Sequence, residues 1–313
     1  MFSYHEISGV ARQWVRFVKK INNIPGSSNR LPKVMAATAR SCQAHGSKII
    51  FSEPFAVLLF VCIISVIIVY LFINSFNVIG MQKIIITDFT RFSNPKIVGT
   101  AGIDLTTGQC IRPMPHLNTV FCKSENIVPG AILTGEFTPV QNIAAPHQED
   151  MSYKNLSCIG LCTSSEFKLA LNAGLCDTVE NGFQIALADK QKHIPISHSI
   201  GKSIITIKVQ PDKIGIVEDA YSQKKIKINF TDNSGRAFKY ISITDLGFYD
   251  FAESIQLSNE LDTLNAFICS QSEIYLRLGL SKAWDNGKVN GYWMQVNGLY
   301  TFPDYHREIR RYR

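Results

Sequence analysis

From Phe55 to Ile73 the chain reads FAVLLFVCIISVIIVYLFI, a run without one charged side chain and rich in Leu, Ile, Val and Phe. At a helical rise of about 1.5 Å per residue the run is roughly 28 Å long, close to the ~30 Å apolar thickness of a bilayer. The length suits one crossing, and Pro54 at its start and Asn74, Ser75 and Asn77 at its end mark its limits. A helix buried in a soluble core is the competing reading, and it fits so long and uninterrupted a run poorly. A cleaved signal peptide fits worse, because the apolar region starts far from Met1 and the NSFNVIGM that follows offers no small-residue cleavage site.

Charge is spread unevenly about this run. Of the 32 Lys and Arg and the 25 Asp and Glu, 8 and 2 fall in residues 1–80, leaving 24 and 23 for residues 81–313. The formal net charge of +7 therefore belongs almost wholly to the N-terminal segment, and any basic patch after Met81 must be local. Within residues 1–54, Ile7, Val10, Trp14, Val18 and Ile21 recur at helical spacing among Arg12, Arg16, Lys19 and Lys20, which predicts a basic amphipathic helix ended by Asn22, Asn23, Pro25 and Gly26. Such a helix suits an anionic membrane surface, with an ordinary solvated helix as the alternative. The basic tail favours a cytoplasmic N-terminus, yet Arg40 and Lys48 on one flank balance Lys83 and Arg91 on the other, so the side taken by the soluble part stays open.

After Met81 short apolar runs alternate with turn residues, and the expected structure is mainly β. Strands are predicted at Lys83–Asp88, Ile97–Leu105 with a hairpin into Gln109–Arg112, Ala131–Val140, Asn155–Thr163, Ser203–Val209, Gly215–Glu218, Lys225–Asn229 and Lys239–Thr244. Spacing of about ten residues suggests a small barrel or sandwich. One or two short helices are expected among them. Ser164–Ala173 is the first, with a Ser cap, Glu166 and a stop at Gly174, and Phe248–Gln256 the second. In GYWMQVNGLY, Tyr292, Met294 and Val296 are expected to face the core, with a turn or bulge at Asn297-Gly298.

The start MQKIIITDFTRFSNPKIVGTAGIDLTTGQCIRP, the segment PHQEDM at 146–151 and the close YLRLGLSKAW…GYWMQVNGLYTFPDY at 275–305 resemble the dual OB-containing domain family of bacterial proteins. The resemblance implies two tandem OB-like β-barrels, residues 81–195 and 196–313, with nucleic-acid binding as the expectation for the fold. The single transmembrane helix before them departs from the family pattern.

Two stretches combine cations with aromatic rings, the pairing by which OB barrels hold single strands. Lys225 and Lys227 alternate with Ile226 and Ile228 and so share one face of a strand, followed by Phe230, Arg236, Phe238, Lys239 and Tyr240. Near the C-terminus Tyr292, Trp293, Tyr300, Phe302 and Tyr305 precede Arg307, Arg310, Arg311 and Arg313. Lys225, Lys227, Arg310 and Arg311 are the candidate nucleic-acid contacts. In the competing reading the aromatics fill cores and the lysines protect exposed strand edges.

Other apparent motifs carry little. Gly201-Lys202-Ser203 lacks the earlier glycine of a phosphate-binding loop, since Ile196 stands there. Cys158 with Cys162, and His193 with His198, lack the further ligands of a zinc site, so no metal is expected. His147, Glu149 and Asp150 sit among turn residues, where a solvated loop is the expectation, and no nucleophile accompanies them. No cofactor and no enzymatic activity are expected. Cysteines 110, 122, 158, 162, 176 and 269 are scattered without a framework, which fits a reducing compartment and pulls against an outside placement. Met81, after Gly80 and directly before the first strand, is a second candidate start, in which case the apolar run is an upstream extension.

The sequence thus predicts a single-pass membrane protein with membrane lipid as one partner. Its soluble part binds single-stranded nucleic acid or, in the alternative, is a tethered interaction or sensor domain for a protein partner. Replacing Ile64 with Arg, near the centre of the run, should cost about 2.5–3.5 kcal/mol of insertion and release the chain from the membrane fraction. Wild-type protein extracted by carbonate alone would overturn the spanning assignment.

Overall fold

The computed structural model describes residues 81–304 apart from 142, 144, 221–224 and 259. The predicted amphipathic helix, the run 55–73 and the terminal arginines lie outside the described residues. Among those described, no helix is long and apolar enough to cross a membrane. Phe76–Arg313 clusters as one unit.

The first strand, β1 (Gln82–Thr90), explains its own apolar run. Ile84, Ile86 and Phe89 enter the core of the first sheet, while Ile85 points the other way into a cluster with Ile103, Phe167, Tyr275, Tyr300 and Phe302. A strand buried on both faces reads as a continuous hydrophobic stretch. It pairs antiparallel with β2 (Ile97–Asp104), which pairs with β3 (Cys110–Met114). After β4 (Leu117–Asn118) and helix α1 (Thr119–Ser124), β5 (Ala131–Pro139) pairs with β1 and with β6 (Asp150–Leu161), and β6 lies parallel to β3. The pairings β1-β2-β3-β6-β5 therefore return to β1, with β4 attached to β2.

Helix α2 (Ser164–Ala173) follows, within the predicted bounds. Its cap is Thr163 rather than Ser164, in a reciprocal capping box with Glu166. Those bonds to Thr163 hold the Glu166 carboxyl below its ordinary range. Phe167, Ala170 and Leu171 plug the cluster between the two sheets, Phe167 meeting Tyr300 edge-on at 4.9 Å.

The second sheet repeats the pattern. After β7 (Leu175–Cys176), α3 (Val179–Phe183) and β8 (His193–Pro195) come β9 (Ile204–Val209) and β10 (Ile214–Asp219), joined by the 3₁₀ turn Pro211–Lys213. Strands β10, β11 (Lys225–Thr231) and β12 (Ala237–Ile243) are antiparallel neighbours. Helices α4 (Leu246–Leu257) and α5 (Leu261–Cys269) lead to the hairpin β13 (Glu273–Asp285) and β14 (Asn290–Phe302). Here too the last strand is parallel to the third, β14 to β12, while β13 pairs back onto β9. Residues before position 196 also join this sheet, β7 on β9 and β8 on β14. Met294 and Val296 lie in the second core with Tyr292 packed against it, and Asn297 is the extra residue of a bulge opposite Arg277 and Leu278.

The fold is mainly β, as expected, but the expectation of one or two short helices is corrected: α1, α3 and α5 accompany the two predicted. Thr119–Ser124 spans little more than one turn, too short to show a period, and forms where Asn118 caps it from the end of β4. In α5 the apolar positions Leu261, Leu264 and Ile268 do show helical spacing.

Polar bonds then lock the two sheets together. Arg277, buried on β13, donates through Nε to Asp88 Oδ2 on β1 at 2.8 Å, forms an ion pair with the same oxygen at 2.7 Å, and donates to Thr206 Oγ1 at 2.8 Å and to Cys110 Sγ at 3.4 Å. Burial pushes the Cys110 thiol up to about 12, so its sulfur stays protonated. A bulge between Ile86 and Asp88 turns this stretch of β1 toward its partner, and the Thr87 carbonyl accepts the Tyr300 hydroxyl at 2.7 Å.

The stretch His147–Asp150, expected as a solvated loop, is instead a joint. Buried Glu149 accepts from Ser203 N at 2.6 Å, Ile204 N at 3.1 Å and Ser203 Oγ at 2.9 Å, so it fastens the start of β9. Asp150 forms an ion pair with Arg112. Both ring nitrogens of His147 are shielded and have no hydrogen-bond partner among the described residues. Burial, with Arg112, Lys282 and His116 nearby and Asp150 opposing them, pushes the His147 imidazole down to about 4.

Two outcomes follow. Asp88→Ala leaves the Arg277 guanidinium buried without its counter-ion and should cost about 3–5 kcal/mol in urea unfolding of residues 81–313, whereas Asp88→Leu combined with Arg277→Met should cost less. A single variant as stable as wild type would show the pair to be dispensable. For His147 the folded value lies below the ordinary 6.5, so between about 6.5 and about 4 the unfolded chain takes up a proton that the folded chain refuses. Its contribution is complete above that window and falls as the pH drops through it. Melting temperature should therefore fall across the window, and less steeply in His147→Gln; identical pH profiles would remove His147 from the account.

Candidate functional site

Strand β11 sets the site by alternation. Ile226, Ile228 and Phe230 enter the core, which leaves Lys225 exposed and Lys227 half-buried on the outer face. Lys225 faces Asp219 on β10, Lys227 faces Ser242 on β12, and Ser242 in turn faces Gln295 on β14. One transverse row, Lys227-Ser242-Gln295, thus crosses three strands, and Lys227 Nζ donates to Ser242 Oγ at 2.9 Å. Because β11 has β10 on one side and β12 on the other, protection of an open strand edge does not account for its lysines.

A bulge lifts an aromatic ring onto the same face. Between the pairs Ile228–Ile241 and Phe230–Phe238, two residues of β12 oppose Asn229 alone. One of them, Tyr240, takes a φ of 55° and donates its N–H to Asn229 Oδ1 at 2.7 Å. Asn229 thereby offsets a backbone conformation costly for a bulky residue. The ring is 47% exposed, and Lys192 Nζ stands 5.7 Å from its centroid.

Lysines 192, 225 and 227 gather here beside the Asp219 carboxylate. Burial, with the ammoniums of Lys225 and Lys192 close by and Asp219 opposing them, holds Lys227 below the ordinary lysine range. Burial lowers Lys192 as well, again against Asp219. An anion set among them would relieve both the lost solvation and the like-charge repulsion. Farther along the face, Trp293 sits opposite His193 of β8, their rings 5.1 Å apart. Trp284, near the end of β13, is 59% exposed and 5.8 Å from the Trp293 ring. Three cations and several rings on one sheet face can track a phosphate backbone and stack its bases.

Of the predicted contacts, Lys225 and Lys227 come together, and Arg310 and Arg311 lie outside the described residues. Several aromatics named beside them are core residues: Phe230 and Phe238 stack at 4.9 Å inside the second sheet, and Tyr300 and Phe302 lie between the sheets. Arg236 is a structural donor to Glu180, Leu187 O and Ala188 O. Sequence reading missed Lys192 and Trp284. Trp284 carried a usable signal, since it and Trp293 flank the turn residues Asn286-Gly287. Among the described residues no group of three or more His, Cys, Asp or Glu could hold a metal.

A search of curated proteins finds no match. Among solved structures, the chain is similar at 10% identity and a TM-score of 0.28 to a murine DNA-binding protein bound with double-stranded DNA, covering 70% of this chain and 99% of that one. The same identity and TM-score relate it to the Ifi202 HINa domain in complex with a 20-base-pair DNA duplex, covering 71% and 94%. Likeness at this level says nothing about a ligand. The family comparison is far stronger: the model of the dual OB-containing domain matches residues 89–299, well over half of the 313 residues, and the chain belongs to that family.

Proposed function

We propose that the chain is a membrane-anchored pair of OB barrels that binds single-stranded nucleic acid on the outer face of its second sheet. The observation that carries the reading is the gathering of Lys192, just before β8, with Lys225, Lys227 and the raised Tyr240 ring on β11 and β12. These are the second and third strands of their set, the face on which OB barrels take oligonucleotides. Reading each sheet as a barrel is supported by the pairings, which in the first return to β1 and in the second to the β9–β10 stretch. Membrane anchoring rests on the charge-free run 55–73. The activity is binding without catalysis. A protein-interaction or sensor role is the second reading, favoured by the near balance of 24 basic and 23 acidic residues in 81–313.

Fluorescence anisotropy of residues 81–313 with labelled single-stranded DNA and RNA, at low and moderate salt, tests the first reading. Affinity should fall steeply with salt, vary little with base identity, and show a salt slope smaller by about 0.7 for each phosphate that a substitution leaves unneutralised. Lys225→Ala with Lys227→Ala should leave two phosphates without their cations, and Arg310→Ala with Arg311→Ala two more. Absence of binding at low salt leaves the protein-partner reading. Binding indifferent to all four substitutions moves the site elsewhere.

A further inference from the structure

We infer that Trp284, Trp293 and His193 form a base-stacking subsite, onto which a strand held by the lysine face continues. The subsite rests on the single-strand reading above and adds to it the requirement that bases be unpaired at this place. Trp284 is the first ground. A large indole 59% exposed near the end of a long hairpin forfeits most of the stabilisation that burial gives a ring of its size, and it contributes nothing to the core. Yet the Trp293 ring beside it is held in place. Trp293 Nε1 donates to the Trp284 carbonyl at 3.3 Å, and Trp293 N donates to Ser281 Oγ at 2.9 Å. Trp284 pairs with Gly291, two residues before Trp293 on the same face, so the two indoles are diagonal neighbours.

Gly291 is the second ground. A Cβ there would come within 3.0 Å of the His193 ring and 2.7 Å of the Ile194 carbonyl, so the bare position lets β8 close in and set His193 beside Trp293. Continuity is the third. Trp293 and Gln295 lie two residues apart on β14, and Gln295 ends the row that begins at Lys227, so the rings extend the basic face without a break. Exposed ring faces beside cations attract the faces of heterocyclic bases, and in a duplex those faces are already stacked.

The test compares three probes on the purified full-length chain: a single-stranded DNA, the same backbone with abasic residues, and the duplex. Wild type should bind the base-bearing strand about tenfold to hundredfold more tightly than the abasic one. Trp284→Ala and Trp293→Ala should each narrow that gap while leaving the abasic affinity and the salt slope unchanged, and Trp284→Phe should restore part of it. Tryptophan emission should be quenched by the base-bearing strand and not by the abasic one, which a purely structural role would not produce. Equal binding of base-bearing and abasic strands, or of strand and duplex, overturns the subsite and leaves the phosphate-binding reading standing. Failure of all three probes at low salt overturns both.

Discussion

A buried guanidinium stands at the centre of the joint between the two sheets. Arg277 and Asp88 are each about 1% exposed, and taking two such charges out of water costs several kcal/mol apiece. The cost is offset by two contacts to one carboxylate oxygen, by the Thr206 hydroxyl and by the Cys110 sulfur, while Asp88 Oδ1 is buried without a hydrogen-bond partner among the described residues. Apolar residues of similar volume could stabilise the joint as well or better. What they would not supply is the directed hydrogen bonding by which Arg277 on β13 reaches β1, β3 and β9 at once. The Thr87 bulge and the Tyr300 hydroxyl belong to the same device, and the apolar cluster around Phe167 fills the space it defines.

The division of labour between the two sides of the second sheet follows. One face of β13 and of the C-terminal half of β14, with Tyr275, Arg277, Tyr300 and Phe302, is committed to the joint, and their other face, with the inward faces of β11 and β12, to the core. The outward faces of β11, β12 and the N-terminal half of β14 are left to carry lysines and rings. A face already rigid on its reverse side holds those groups at fixed spacing, which suits recognition of a repeating polymer and lowers the entropic cost of binding.

Much of this was legible in the sequence. Ten-residue spacing of apolar runs marked most of the strands, Ser164–Ala173 with its stop at Gly174 announced a helix though not its Thr163 cap, and the alternation of Lys225 and Lys227 with isoleucines set their common face. What escaped notice has physical reasons. Phe230 and Tyr240 look alike as rings beside cations, and only the third dimension separates the core ring from the surface one. Glu149 is anonymous among turn residues until Ser203, more than fifty positions away, supplies its donors. A bulge that no periodic pattern encodes puts Phe238 in the core and Tyr240, two residues on, at the surface. Lys192 lies before a three-residue strand, too short to announce itself.

The two-sided burial of β1 bears on how the chain is made. Ile84 and Ile86 find their neighbours within the first sheet, whereas Ile85, beside Ile103 and Ile132 of the same sheet, is covered in full only with Tyr275 and Tyr300, about 190 and 215 positions later. At synthesis rates of about 5–20 residues per second, a nascent chain would carry that apolar stripe incompletely covered for on the order of ten seconds or more. Whatever shields it in the interval, a chaperone or the tunnel vestibule, is as much a determinant of successful biogenesis as any bond in the finished molecule.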